Sequence, residues 1–161
     1  ADTGDRVAVT VDTSLLVAVE AAKPGVAFGG EPSGAWIWPE RTPCLDGPLA
    51  ACILTELVGQ EGSLAALVDD LPAYPIRRDS VRTAAKAAIV ERVGEVAAAE
   101  YDDVSTLDGV RVETDAGWFL VRASGTEPLV RITAEARDEG DANALFETAR
   151  ELIDRAAADR E

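Results

Sequence analysis

The stretch Arg122-Ala123-Ser124-Gly125-Thr126-Glu127-Pro128-Leu129-Val130-Arg131 limits what this chain can fold into more than any other. Gly117–Val121 before it and Leu129–Glu135 after it are rich in β-branched and aromatic residues, the composition of strands, so the loop is expected to be held at both ends. Ser124 and Thr126 supply hydroxyl donors. Gly125 permits a positive φ, which would let successive N–H groups turn into one concavity suited to an anion. Arg122 and Arg131 stand where strand meets loop, and each planar guanidinium can take two phosphate oxygens. The same spacing also fits an ordinary hairpin turn whose arginines pair with surface carboxylates.

Composition narrows the function. The 161 residues suit one or two small domains, and 47% hydrophobic content can bury a core. Thirty acidic against 15 basic residues give a formal charge of −15. That argues against nucleic acid or an anionic membrane as partner, since both reward basic patches. Only Lys23 and Lys86 are lysines. Acid excess with scarce lysine reads as adaptation to high salt, where a Debye length of about 3 Å at 1 M lets carboxylates crowd a surface. Screening also leaves local arginine forks, rather than the global field, to decide whether an anion binds.

Two cysteines, Cys44 and Cys52, are too few for a disulfide framework, and no secretory signal or long apolar run occurs, so a cytoplasmic location is expected. Without histidine, no Ser-His-Asp or Cys-His chemistry can be built. The chain starts at Ala1 and lacks methionine, and is read as a piece of a longer protein.

Along the chain, Arg6–Asp12 reads as a strand, Leu15–Ala22 as a short helix, Val26–Phe28 as a strand and Trp36–Trp38 as an apolar strand. Between the last two, Gly30-Glu31-Pro32-Ser33-Gly34 offers a carboxylate and a hydroxyl between glycines, either a polar turn or a pair able to bond adjacent sugar hydroxyls. Asp46 is expected to cap a helix beginning near Pro48, and Ser63 a second over Leu64–Leu71. Residues 72–79, with Pro72 and Pro75, read as an extended linker. Val81, Ala85, Ile89, Val93 and Val96 have helical spacing, which places a helix from Ser80 to about Glu100. Leu107-Asp108-Gly109 is a turn, Val110–Thr114 a half-buried strand, and Asp141 the expected cap of the last helix. The C-terminal part is thus helix, three or four strands and helix, an α+β sheet covered on one side.

Arg122 to Arg131 resembles the phosphate-binding loop of the α-D-phosphohexomutase family, the phosphoglucomutase/phosphomannomutase enzymes, whose pattern is close to R-x-S-G-T-E-P-x-x-R. Gly30–Gly34 resembles that family's G-E-x-S-G sugar-recognition loop, although Ala35 stands where many members have histidine, and Asp46-Gly47 resembles its D-G helix start. The resemblance implies an α/β third domain over residues 1–71, then the linker, then over residues 80–161 a fourth domain with a mainly antiparallel sheet and helices on one side. It implies that Arg122, Ser124, Gly125, Thr126 and Arg131 bind a substrate phosphate, and that Glu31 and Ser33 bind the sugar. The reaction implied interconverts hexose 1- and 6-phosphates through a bisphosphate, with Mg2+ and with glucose 1,6-bisphosphate as activator. The family's catalytic serine loop and aspartate-rich metal loop are absent, and Ala1–Arg6 matches the latter too poorly to be a metal site. The expected partners are therefore the hexose phosphate and the missing N-terminal domains, with no catalytic residue in this chain. About twenty residues that the family carries between Ser14 and Leu15 are missing here, so a join across an omitted stretch is expected. A non-catalytic sugar-phosphate sensor, or an inert domain with two plain turns, are the competing readings.

Overall fold

The computed structural model describes residues 6–9, 24–30, 34, 36–69, 71 and 73–158, the first four by backbone alone. The chain divides into two compact units, Ala1–Pro72 and Ala73–Glu161.

In the first unit β1 (Arg6–Val9), β2 (Val26–Gly30) and β3 (Trp36–Ile37) form a sheet in that order. β1 runs parallel to β2 and β3 antiparallel. Phe28 packs between Trp36 and Trp38, its ring centroid 5.5 and 5.1 Å from theirs. Packing thus occupies both tryptophans, although Trp36 stays 43% exposed. α1 (Gly47–Glu61) begins where its caps dictate: Asp46 Oδ1 accepts from Leu49 N at 2.8 Å, and Pro48 sits in the first turn. At its far end Gly62, with φ +99, donates its N–H to Val58 O at 2.9 Å. α2 (Leu64–Asp69) is capped by Ser63, whose Oγ accepts from Ala66 N at 3.1 Å. Neither helix buries a residue. The expected helix over Leu15–Ala22, the end of the first strand and the Ser14–Leu15 join lie outside the described residues.

The second unit is an antiparallel sheet of five strands, β4 (Ile76–Arg82), β5 (Val104–Ser105), β6 (Val110–Glu113), β7 (Gly117–Ala123) and β8 (Leu129–Ala136), in the order β4-β8-β7-β6-β5. α3 (Lys86–Glu100) and α4 (Glu139–Ala158) cover one face. Alternation makes that face: Phe119 and Val121 on β7 and Val130 and Ile132 on β8 meet Val93 on α3 and Leu152 on α4 in one cluster. The helix-free face carries the intervening residues, among them Trp118 and Arg122 on β7 and Arg131 and Glu135 on β8.

Two local expectations are corrected. The expected passage from linker to helix at 79/80 is strand instead: Ile76–Arg82 are β4, so residues 76–79 are paired to β8 rather than linker, Val81 lies opposite Val130, and the helix starts only at Lys86. Val81 satisfied a helical and a strand pattern equally, and pairing with β8 decided between them. The last helix is capped by Asp138, whose Oδ1 accepts from Asp141 N at 2.9 Å, so Asp141 lies within the first turn.

Candidate functional site

The Arg122–Arg131 connection is a tight hairpin end. Ser124 N donates to Leu129 O at 2.9 Å, Leu129 N to Glu127 O at 2.9 Å, and Ser124 Oγ accepts from Glu127 N at 3.2 Å. Thr83 N, just after β4, donates to Pro128 O at 2.9 Å. Lys86, the first residue of α3, donates from Nζ to Ser124 O and, at 3.0 Å, to Glu127 O. The loop is thus fastened from inside by a serine and from below by a lysine.

Above that base the loop is open. Gly125 and Thr126 are exposed, and neither their N–H groups nor the Thr126 hydroxyl finds an acceptor or donor among the described residues. Ser124 is 2% exposed, and because its oxygen accepts from Glu127 its own O–H proton remains to be donated.

Arg122 and Arg131 are direct partners across the β7–β8 ladder, so their side chains rise from the same face. Arg122 is 6% exposed, and burial, with Arg131 opposite, pushes its guanidinium pKa down. Two like charges facing across a ladder cost stability, and an anion between them would remove that cost. Arg131 reaches Glu127 Oε2 at 3.3 Å, an ion pair half open to water and therefore weak. A dianion could replace it.

One expectation about the loop is overturned. Gly125 is not among the glycines of positive φ, which among the described residues are Gly25, Gly34, Gly62, Gly109 and Gly117. Ser124 and Lys86 close the turn, so no left-handed residue is needed at its tip. A Cβ on Gly125 would meet nothing within 4 Å, so the residue keeps the mouth of the loop clear. The glycine whose conformation does matter is Gly109, with φ +84: a Cβ there would stand 2.5 Å from Arg122 Cβ and from Val121 O. The turn before β6 therefore presses on the backbone that carries Arg122. Asp108 beside it has a buried Oδ2 without a hydrogen-bond partner, and burial raises its carboxyl pKa.

Arg122, Ser124, Gly125, Thr126 and Arg131 come together as a single loop. Glu31, Ser33 and Ala35 lie outside the described residues. Sequence reasoning gave Lys86 no role at the loop and read Gly109 only as part of a turn, without its contact to the backbone of Arg122. A signal existed for each: Lys86 is the only lysine after Lys23 and opens a helix with no acid in its first turn, and Asp-Gly before a strand marks a tight turn. Among the described residues no group of three or more Asp, Glu or Cys could hold a metal ion, and no helix is long and apolar enough to cross a membrane.

Residues 3–74 match the family described as phosphoglucomutase/phosphomannomutase, alpha/beta/alpha domain III, and residues 80–152 its C-terminal domain, so the chain belongs to the phosphoglucomutase/phosphomannomutase family. It is 44% identical over 154 residues to the "Probable phosphoglucosamine mutase" of Methanopyrus kandleri, covering 94% of this chain, and 44% identical over 142 residues to that of Methanocella arvoryzae, covering 87%. In both cases the chain spans 32% of the relative's length. The match to the "Probable phosphoglucosamine mutase" of Methanothermobacter thermautotrophicus, 38% identical and covering 94% of this chain and 39% of that protein, runs over 177 residues. That exceeds the 161 of this chain, so that relative holds residues within the matched span that have no counterpart here. A phosphoglucomutase/phosphomannomutase family protein from Burkholderia thailandensis has the same fold, with a TM-score of 0.73 at 24% identity over 91% of this chain and 32% of that one.

Proposed function

We propose that this chain is the substrate-holding C-terminal part of a phosphohexomutase, and that the loop from Arg122 to Arg131 grips whichever phosphate of a hexose phosphate is not reacting. The observation that carries this reading is the pairing of Arg122 with Arg131 across the ladder beneath two N–H groups without acceptors. A phosphate there would take the N–H groups of Gly125 and Thr126, the hydroxyls of Ser124 and Thr126, and the two guanidinium groups. Fixing the remote phosphate fixes the sugar, and positioning supplies much of the rate enhancement in phosphoryl transfer. By their resemblance Glu31 and Ser33 take sugar hydroxyls.

By the family resemblance, the phosphoryl donor would be a phosphoserine and Mg2+ would support its transfer, both outside this chain, which spans about a third of its relatives' length; glucose 1,6-bisphosphate would be the species that primes the serine. The chain alone would bind without turning over. Among candidate sugars the names of the archaeal relatives favour glucosamine phosphate. The acid excess is a halophilic trait and fits a cytoplasm of high salt, as in a halophilic archaeon.

Titration calorimetry with glucosamine 6-phosphate tests the reading. Arg122→Ala should weaken binding by about 1.5–3 kcal/mol, the range for a charged hydrogen-bond partner. Equal affinity of the variant and the parent chain would refute it.

A further inference from the structure

Lys86 stands where helix electrostatics disfavour it. It is the first residue of α3, a helix with no side-chain cap and no acid in its first turn, so its ammonium adds to the positive end of the helix dipole. No carboxylate pairs with it among the described residues; its partners are the carbonyls of Ser124 and Glu127, from residues 38 and 41 positions away. A lysine so placed costs α3 stability, and what it gains lies in the loop.

The planar trans peptide explains what that is. The C=O of Ser124 and the N–H of Gly125 belong to one peptide unit and point in opposite directions. Drawing that carbonyl toward α3 turns the Gly125 N–H outward, toward the open mouth of the loop. A cation on the carbonyl also polarises the unit and makes the N–H a stronger donor. The second contact, to Glu127 O, fixes the other end of the loop, where Pro128 has no N–H and Leu129 N already donates to the same oxygen.

From this geometry we infer that Lys86 is a positioning residue for anion binding: its ammonium, held by the Ser124 and Glu127 carbonyls, sets the direction and the donor strength of the Gly125 N–H. The inference rests on the phosphate-holding role given to the loop. Lys86 acts through the loop and does not itself touch the phosphate.

The test uses the full chain, 15N-labelled, with Lys86→Met and Lys86→Arg; Lys86→Gln replaces the methionine variant should that one not fold. Without ligand, the Gly125 amide proton should move upfield in Lys86→Met and stay near its parent position in Lys86→Arg, which keeps the charge and the donors. With glucosamine 6-phosphate as probe, affinity should fall roughly tenfold in Lys86→Met and recover to within about threefold in Lys86→Arg. A Gly125 amide unmoved in the uncharged variant overturns the inference. So does an arginine variant that binds as weakly as the methionine one while folded. If the parent chain does not bind the sugar phosphate, the role given to the loop fails, and the Gly125 amide still decides whether Lys86 sets its peptide.

Discussion

α1 and α3 are both 15 residues long, and they are stabilised in opposite ways. α1 has an aspartate cap, a proline in its first turn and a glycine at its end, yet buries nothing. α3 has no side-chain cap and begins with a lysine, yet buries Ile89, Val93 and Ala97 against the sheet. The contrast extends to the units that contain them: among the described residues Ile37 is the one buried apolar side chain of the first unit, while the second unit holds the rest. Local signals therefore define where a helix starts and stops, and packing decides how much its presence is worth.

The largest test of that contrast removes packing. Phe119 is fully buried at the centre of the second unit, 5.9 Å edge-on from Tyr101. Phe119→Ala should cost about 3–5 kcal/mol, whereas Leu54→Ala on α1, where the leucine is 45% exposed, should change stability by no more than about 0.5 kcal/mol. Urea unfolding of the two variants compares them directly. Equal losses would mean that α1 packs as tightly as the sheet does.

A second comparison sets two glycines of the site against each other. Gly109→Ala forces a left-handed residue, at about 1–2 kcal/mol, and drives a methyl against Val121 O and Arg122. A total loss above about 2 kcal/mol is expected, together with weaker sugar-phosphate binding as Arg122 shifts. Gly125→Ala meets open space and should leave stability within about 1 kcal/mol of the parent. Thermal melts that rank the two the other way would refute the account of the loop.

The same contrast explains what could be read in advance. The start of α1 followed from Asp46 and Pro48, because each is a local device with a local cause. β6, β7 and β8 were legible because alternation and turn glycines agree there. The start of α3 was misread because Ser80 and Val81 suit either element, and only the β8 ladder, some fifty residues further along, settles the choice. The arginines and hydroxyls of the loop were legible as one string, while Lys86 reaches the loop only through the fold. Position in sequence cannot show a contact of that separation.

Capping offers a smaller test. Asp46→Ala removes the acceptor of Leu49 N and should cost about 1 kcal/mol. The loss should be visible as helix signal from α1, with the amide resonances of the five-stranded sheet unchanged. A shift in those sheet resonances would mean that the caps of α1 matter beyond their own helix.

The smallest effect expected is one of pH, and its sign separates a half-buried carboxylate from exposed ones. Burial raises the pKa of Asp108, whose Oδ2 has no partner, so the folded state holds that proton more tightly than the unfolded one. Its charge therefore opposes folding above the raised pKa, and the opposition fades as pH falls toward the ordinary aspartate range. Asp138 and Glu100 are exposed and behave oppositely. The backbone N–H of Asp141 lowers the first and the Arg155 guanidinium the second, so their contributions are present near neutrality and lost as pH falls through the lowered values. Asp108→Asn should then raise the melting temperature slightly at pH 7 and leave it unchanged near pH 3, while Glu100→Gln should lower it at pH 7 and converge with the parent at low pH. A loss of stability in Asp108→Asn at pH 7 that faded on acidification would mean that the carboxylate has a cationic partner in the folded chain, and that the turn beside Arg122 is held by charge rather than by the fit of Gly109.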